Sequence, residues 1–278
     1  MLSSAIIIFR EVLEAALLIG ILAAATRSVP NRAYWLAAGV GMGLAGAAVL
    51  AGFTDTISTM ASGVGQEILN AIILTVAVVM LAWHNIWMAS HGKAMAQSAR
   101  AVGNAIRDGR SELSALFIVV SLAVLREGAE SVLFLYGVAI SGEADNNAML
   151  AGGFIGVLAG LFTGYIIYRG LLRVPLQLLF QGTAALILLM AGGMASQATA
   201  MLTQANLVTV LTNPLWDSSA LISPTSVAGV ILRALTGYEA QPSGIQVIVY
   251  LLTMTLIAAG MYLADGSRRQ ARTANQSI

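Results

Sequence analysis

Seven apolar runs of about 20 residues constrain this chain more than any other feature, because a segment of that length crosses the hydrocarbon core of a bilayer. They cover roughly 2–26, 33–53, 67–89, 114–140, 148–168, 176–198 and 245–264. Charged residues make up only 10% of the 278, against about 25% in soluble domains, too few to cover a water-facing surface. A net charge of +1 supplies no basic field for nucleic acid. The absence of cysteine excludes disulfides, thiolate metal sites and iron–sulfur clusters. The first run lacks a basic leader and is interrupted by Arg10, Glu11 and Glu14, so it reads as a span and not as a signal peptide. The expected architecture is an all-α polytopic membrane protein, residues 1–278 forming one integral membrane domain.

The charges between the runs give an orientation. Arg27, Arg32, Lys93, Arg100, Arg107, Arg110, Arg169, Arg173, Arg268, Arg269 and Arg272 all fall on connections to one side. The other side holds Asp55, Glu67, Glu143, Asp145, Asp217 and Glu239, with Arg233 as its single base. The positive-inside rule then sets the N-terminus outside and the C-terminus inside. The acidic outer face would draw cations inward, within the limits of salt screening.

The remaining charges lie where a membrane protein should have none. Arg10-Glu11-Val12-Leu13-Glu14 sits inside the first run, and Arg126-Glu127-Gly128-Ala129-Glu130 inside the fourth. Both read R-E-x-x-E. Six ionised groups at the membrane centre would cost about 15–20 kcal/mol if unpaired. The i,i+3 spacing of the two glutamates puts them on one helix face, and the i,i+4 spacing of arginine and second glutamate suits an ion pair. Together the motifs offer four carboxylates and two fixed positive charges, a cage fit for a hard or borderline cation. The plainer alternative is a pair of ion-pair staples joining helices.

The similarity extends beyond the motifs. Ala37-Ala38-Gly39 and Leu44-Ala45-Gly46 in the second run parallel Ala151-Gly152-Gly153 and Leu158-Ala159-Gly160 in the fifth. Runs one to three thus read as a repeat of runs four to six, inverted in the membrane, with the seventh outside the repeat. Inverted repeats meeting at polar residues mark alternating-access transporters. The organisation expected is a first repeat over 1–90, a cytoplasmic connection over 91–113, a second repeat over 114–198, an outer re-entrant or interfacial segment over 199–244, a seventh helix over 245–264 and a basic tail over 265–278.

Two R-E-x-x-E copies in the first and fourth of seven spans resemble the iron permease family. That family includes the fungal high-affinity ferric permease and the bacterial oxidase-dependent iron transporter. The likeness covers nearly the whole chain and includes Trp216-Asp217-Ser218-Ser219-Ala220-Leu221 and Gly237-Tyr238-Glu239-Ala240-Gln241-Pro242-Ser243. It implies import of Fe3+ or Fe2+ as the transported substrate, with no organic cofactor. It implies Glu11, Glu14, Glu127 and Glu130 as iron ligands, and Arg10 and Arg126 as the supporting ion pairs. It further implies a separate partner that delivers or oxidises iron: a periplasmic iron-binding protein, a haem peroxidase or a multicopper oxidase. Two positions depart from the family pattern. Val12 replaces a motif glycine, so it either spaces its helix from a neighbour or faces lipid. Glu67-Ile68-Leu69-Asn70 ends in an amide where the family often has E-x-x-E.

Asp55, Glu67, Asp217, Tyr238 and Glu239 are the candidates for an outer mouth. His84 reads as an interfacial or hydrogen-bonded helix residue near the inner end of the third span. Met190 and Met194, at i,i+4, read as packing. Trp35, Trp83 and Trp87 read as belt aromatics. Residues 92–112 read as an amphipathic cytoplasmic helix on the lipid surface. The expected location is a bacterial inner membrane. The rival functions are transport of another divalent metal such as manganese or lead, an intramembrane enzyme using paired carboxylates as acid and base, and a membrane scaffold that transports nothing.

Overall fold

The computed structural model describes residues 1–60, 66–140, 146–169 and 176–275, leaving out the side chains of 54–60, 89–93, 146, 176–180, 234 and 265–275. Asp55, Glu143 and Asp145 of the acidic face, and Lys93, Arg173, Arg268, Arg269 and Arg272 of the basic one, therefore have side chains outside the described residues. Within these limits the chain is helical: α1 (Leu2–Ala25), α2 (Arg32–Met60), α3 (Gln66–Arg107), α4 (Ser114–Ile140), α5 (Asn146–Tyr168), α6 (Leu176–Gln204), α7 (Val227–Thr236) and α8 (Gly244–Asn275). Among the described residues the only β pairing is an isolated antiparallel bridge between Pro214 and Ser243.

Five stretches are long and apolar enough to cross a membrane: Arg32–Phe53, Gln66–Met88, Asn147–Tyr168, Gln181–Gln204 and Gly244–Ala264. At 24 and 27 residues, α1 and α4 match them in length, about 36 and 40 Å at 1.5 Å per residue. They differ in carrying the three ionic residues of each R-E-x-x-E motif at mid-helix. Large apolar side chains point outward from α2, α5 and α8, among them Met42, Phe53, Phe154, Phe162, Leu251 and Leu256. A soluble protein does not expose apolar surface on this scale. The chain is a multi-pass membrane protein.

Helix pairing follows the glycines. α1 lies chiefly on α5, α2 on α4, and α3 on α6. A Cβ added at Gly43 would stand 2.6 Å from Val124, one at Gly156 would stand 2.6 Å from the Ala5 carbonyl oxygen, and one at Gly160 would stand 2.8 Å from Val12. Glycine every fourth residue lets two helix backbones approach where larger side chains would hold them apart. Along α5 the partners of Gly152, Gly156, Gly160 and Gly164 are Met1, Ala5, Val12 and Ala16, so α1 and α5 run parallel. Along α2 the partners of Gly39 and Gly43 are Val120 and Val124, and Ala47 meets Gly128, so α2 and α4 run parallel too. Val12 neither faces lipid nor spaces α1 away. It fills the notch that Gly160 leaves in α5. The equivalent contact in the other pair has the glycine on the motif helix, as Gly128 against Ala47.

Two apolar clusters close the interior. One gathers Ile7, Leu74, Leu81, Phe134, Val138, Ile187, Met190 and Met194, which confirms the two methionines as packing. The other gathers Leu22, Leu36, Ala99, Ile106, Leu116, Val120 and Val124. On α1, α3 and α4 alike, the ionic residues fall between the members of the first cluster and those of the second.

Three sequence expectations change. α3 is one helix of 42 residues, about 63 Å long, and does not break into a span and a lipid-surface helix. Its far end turns Ala99 and Ile106 into the second cluster, and Gly103 rests on Ala25. Burial against α1 explains why that end does not lie on lipid. α8 continues as helix to Asn275 through most of the expected tail. Trp87 is not a belt residue but packs inward, whereas Trp83 is 73% exposed, as a belt position requires.

If the glycine contacts hold the pairs together, Gly160→Leu will lower the melting temperature of the detergent-solubilised protein by several degrees, since overpacking costs about 1–3 kcal/mol. Gly41→Leu, on the same kind of surface but with nothing within 4 Å, will leave it unchanged. Equal effects would refute the pairing.

Candidate metal centre

Helical geometry sets the first contacts. Arg10 Nε lies 3.0 Å from Glu14 Oε1, and Arg126 Nε lies 3.0 Å from Glu130 Oε1. Each arginine is also 3.9 Å from the glutamate that follows it. Both copies therefore brace the second glutamate with the arginine one turn earlier, as the i,i+4 spacing predicts. Their surroundings differ. The Arg10 side chain is 3% exposed and the Arg126 side chain 36%. The Arg126 guanidinium stacks 4.4 Å from the centre of the Trp87 ring, a cation–π contact that suits a partly desolvated cation.

Tertiary packing then adds a residue from α3. His84 is buried between the motifs, its Nε2 3.5 Å from Glu14 Oε1 and its Nδ1 against Glu130 Oε2. Glu11, His84, Glu127 and Glu130 each present one donor atom, and the four atoms lie within 4.8 Å of one another. Cation–oxygen bonds of about 2.0–2.6 Å span donors at this separation with little contraction. Glu14 adjoins the group without belonging to it.

The centre is notable for what is left unsatisfied. Glu14 Oε1 and Glu130 Oε2 are taken up by the Arg10 and His84 contacts, but both oxygens of Glu11, Glu14 Oε2 and Glu127 Oε2 are buried without a hydrogen bond, as is the amide of Asn85. Buried polar groups are normally paired, and a carboxylate removed from water without partners is costly. Unpaired carboxylate oxygens with an imidazole among them have the chemistry to hold a di- or trivalent cation. Ion-pair staples alone would use their oxygens up.

Comparison with known proteins agrees with this chemistry. A family model described as the iron permease FTR1 family matches residues 1–267. The chain belongs to that family. It is a transporter, not an enzyme. The ferrous iron permease EfeU of Yersinia pestis is 31% identical over 252 residues, covering 89% of this chain and 88% of the relative. EfeU of Yersinia pseudotuberculosis matches equally, covering 87% of that relative. EfeU of Escherichia coli strain CFT073 is 31% identical over 278 residues, with 98% of both chains covered. No solved structure matches the chain.

The outer candidates of this permease are tied into a structured segment between α6 and α8. Ser226 caps α7 by accepting a hydrogen bond from the Gly229 N–H at 3.0 Å. Gly237 ends α7 with φ +68°, its backbone pressed on Gly193 of α6, a position open only to glycine. Tyr238 Oη bonds Ser218 Oγ at 2.6 Å. Asp217 accepts from the Ser219 hydroxyl and N–H and from the Gln241 amide, and these bonds hold its carboxyl below the usual carboxylate range. Glu239 pairs with Arg233 at 2.6 Å, so the one base of the acidic face is already neutralised. Glu239 and Tyr238 line a cavity of about 290 Å³ together with Ser196, Trp216 and Gln246. Glu67 is exposed on the first turn of α3, where Gln66 donates to Asn70 Oδ1 at 3.2 Å. Neither Glu67 nor Asn70 reaches the buried cluster.

Sequence reasoning missed His84 at the centre and the burial of Asn85 beside it in the chain. Their signal was the polar pair itself, set in a span in which Thr75 is the single other polar residue from Ala71 to Trp83. An ionisable residue inside a span is a functional candidate by default.

Removing one member of a buried ion pair strands the other, at about 3–5 kcal/mol. Arg10→Gln will therefore destabilise the solubilised protein more than Arg126→Gln, whose side chain is partly exposed. Thermal melts of the two variants check the order, and equal melting temperatures would contradict the asymmetry of the site.

Proposed function

We propose that this permease carries iron inward across a bacterial inner membrane, through a site made by the glutamates of both R-E-x-x-E motifs. The observation that carries the reading is the meeting of Glu11 from α1 with Glu127 and Glu130 from α4 in one buried cluster, in a chain of the iron permease family. The relatives' names specify ferrous iron, which suits a site without sulfur donors.

Seven spans complete the topology, α1 and α4 included, with the N-terminus outside. Parallel packing of α1 on α5 supports this, because helices that cross in turn bring the fifth back to the direction of the first. The exchange of α1·α5 for α4·α2 under the swap of α1 with α4 and α2 with α5 supports the inverted repeat. Iron gathers at the acidic outer face, where Asp55, Glu67, Asp217, Tyr238 and Glu239 form the mouth. The cavity beside Glu239 receives it, and the Arg233–Glu239 pair parts to admit it. Carboxylates then replace its waters at the buried cluster. Arg10 and Arg126 hold those carboxylates and offset their charge, so the ion is bound weakly enough to leave. An inside-negative potential assists by about 2.3 kcal/mol per charge per 100 mV. A separate protein delivers or oxidises the iron on the outer side.

Uptake of radiolabelled iron into proteoliposomes tests the reading. Glu11→Gln and Glu127→Gln will each lower the initial rate more than about 100-fold, beyond the 10–100-fold typical when only a supporting residue is lost. Glu112→Gln, in the connection between α3 and α4, will transport normally. Manganese or lead carried in preference to iron would replace the proposed cargo, and full uptake by both motif variants would remove the site.

A further inference from the structure

We infer that His84 is a nitrogen ligand of the transported ion and sets its selectivity, and that Glu14 orients His84 instead of binding the ion. The inference rests on the cluster being a metal-transport site.

The geometry distinguishes the two glutamates of the first motif. Glu11 offers an oxygen to the four-residue cluster and Glu14 does not. Glu14 Oε1 instead lies 3.0 Å from Arg10 Nε and 3.5 Å from His84 Nε2. His84 Nδ1 is turned the other way, against Glu130 Oε2. A neutral imidazole has one N–H and one free lone pair. Nδ1 makes the closer of the two carboxylate contacts; once an ion stands between Nδ1 and Glu130 and takes the Nδ1 lone pair, the N–H is on Nε2, facing Glu14 at 3.5 Å. A carboxylate behind a ligating histidine is the usual way to fix its tautomer and ring angle. Here Arg10 in turn fixes the carboxylate. In the second motif the corresponding glutamate, Glu130, joins the cluster directly.

Charge points the same way. With all four carboxylates ionised, Glu11, Glu14, Glu127 and Glu130 with Arg10 and Arg126 sum to −2. A divalent cation on a neutral His84 brings the buried site to zero, the least costly value inside a membrane.

The consequence is discrimination. A cage of carboxylates alone accepts magnesium and calcium, whereas imidazole favours first-row transition ions. His84 is then the residue that keeps the abundant alkaline-earth ions out of an acidic mouth that attracts them.

Mn2+ is a suitable probe, being paramagnetic and taken by oxygen and nitrogen donors. In the purified full-length protein, with any affinity tag removed, pulsed EPR of bound Mn2+ will show coupling to one imidazole nitrogen. His91 is the chain's other histidine, so the assignment is simple. His84→Asp will bind Mn2+ without that coupling, and Mg2+ will displace the ion at least about tenfold more readily than from the unaltered protein. Glu14→Gln, whose amide oxygen still accepts from Nε2, will keep the coupling with affinity lowered within about 10–100-fold. Mn2+ bound without nitrogen coupling in the unaltered protein makes His84 only an imidazolium bridge between carboxylates, and overturns the inference while the metal site stands. Coupling that survives His84→Asp, or is lost in Glu14→Ala and Glu14→Gln alike with ion affinity unchanged, overturns it as well. Failure of the unaltered protein to bind Mn2+ or Fe2+ at any site sensitive to Glu11→Gln overturns the metal site itself.

Discussion

Burying ionic groups in the middle of an apolar protein is the constraint on which the rest of this structure depends. Every feature near the centre answers it. Arginine one turn before each second glutamate gives an intrahelical partner at 3.0 Å. Trp87 covers the Arg126 guanidinium. His84 spans the gap between the two motif helices. Apolar clusters built on Ile7, Leu81 and Phe134 on one side, and on Leu22, Val120 and Val124 on the other, bound the ionic residues along the chain. The arrangement nevertheless stops short of full satisfaction. The unpaired oxygens of Glu11 and Glu127 are a cost that a purely structural charge cluster would have no reason to keep. On the proposed function that cost is useful, because the cargo relieves it.

Close helix approach fixes how each motif helix is backed by its neighbour. The glycines at 39 and 43 on α2, and at 152, 156, 160 and 164 on α5, bring their helices onto the backs of the two motif helices. Val12 shows how local this fit is. It stands where the family pattern has glycine, yet the bulk is taken up by Gly160 opposite, so the change in one helix is absorbed by its neighbour.

The parts of the site that obey helical periodicity were legible in the sequence. Residues spaced i,i+3 and i,i+4 must share a face, so the pairing of Arg10 with Glu14 and of Arg126 with Glu130 needed no fold. The duplicated glycine pattern likewise marked the faces by which α2 and α5 pack on α4 and α1. What could not be read was any contact that depends on a third helix. His84 lies far from both motifs in sequence, and its apparent place near a membrane boundary concealed its nearness to Glu130. The length of α3 was misjudged for a related reason. Charges after residue 92 suggested a break, but no proline interrupts the helix there, Gly92 itself stays helical, and burial of Ala99 and Ile106 continues it. Asp217 and Glu239 were legible as acidic residues of the outer segment, but not as residues already engaged by Ser219, Gln241 and Arg233.

The pairing of α1 with α5 and of α2 with α4 has a mechanical corollary. Each motif helix is clasped by a helix of the opposite half of the chain, so with the proposed repeats the halves are interlaced and do not rock as separate blocks. The natural moving parts are the cross-repeat pairs, and Glu11 on one pair faces Glu127 and Glu130 on the other. The ion would therefore sit in the seam of a pair of scissor blades, gripped when they cross closely and let go when one slides along the other.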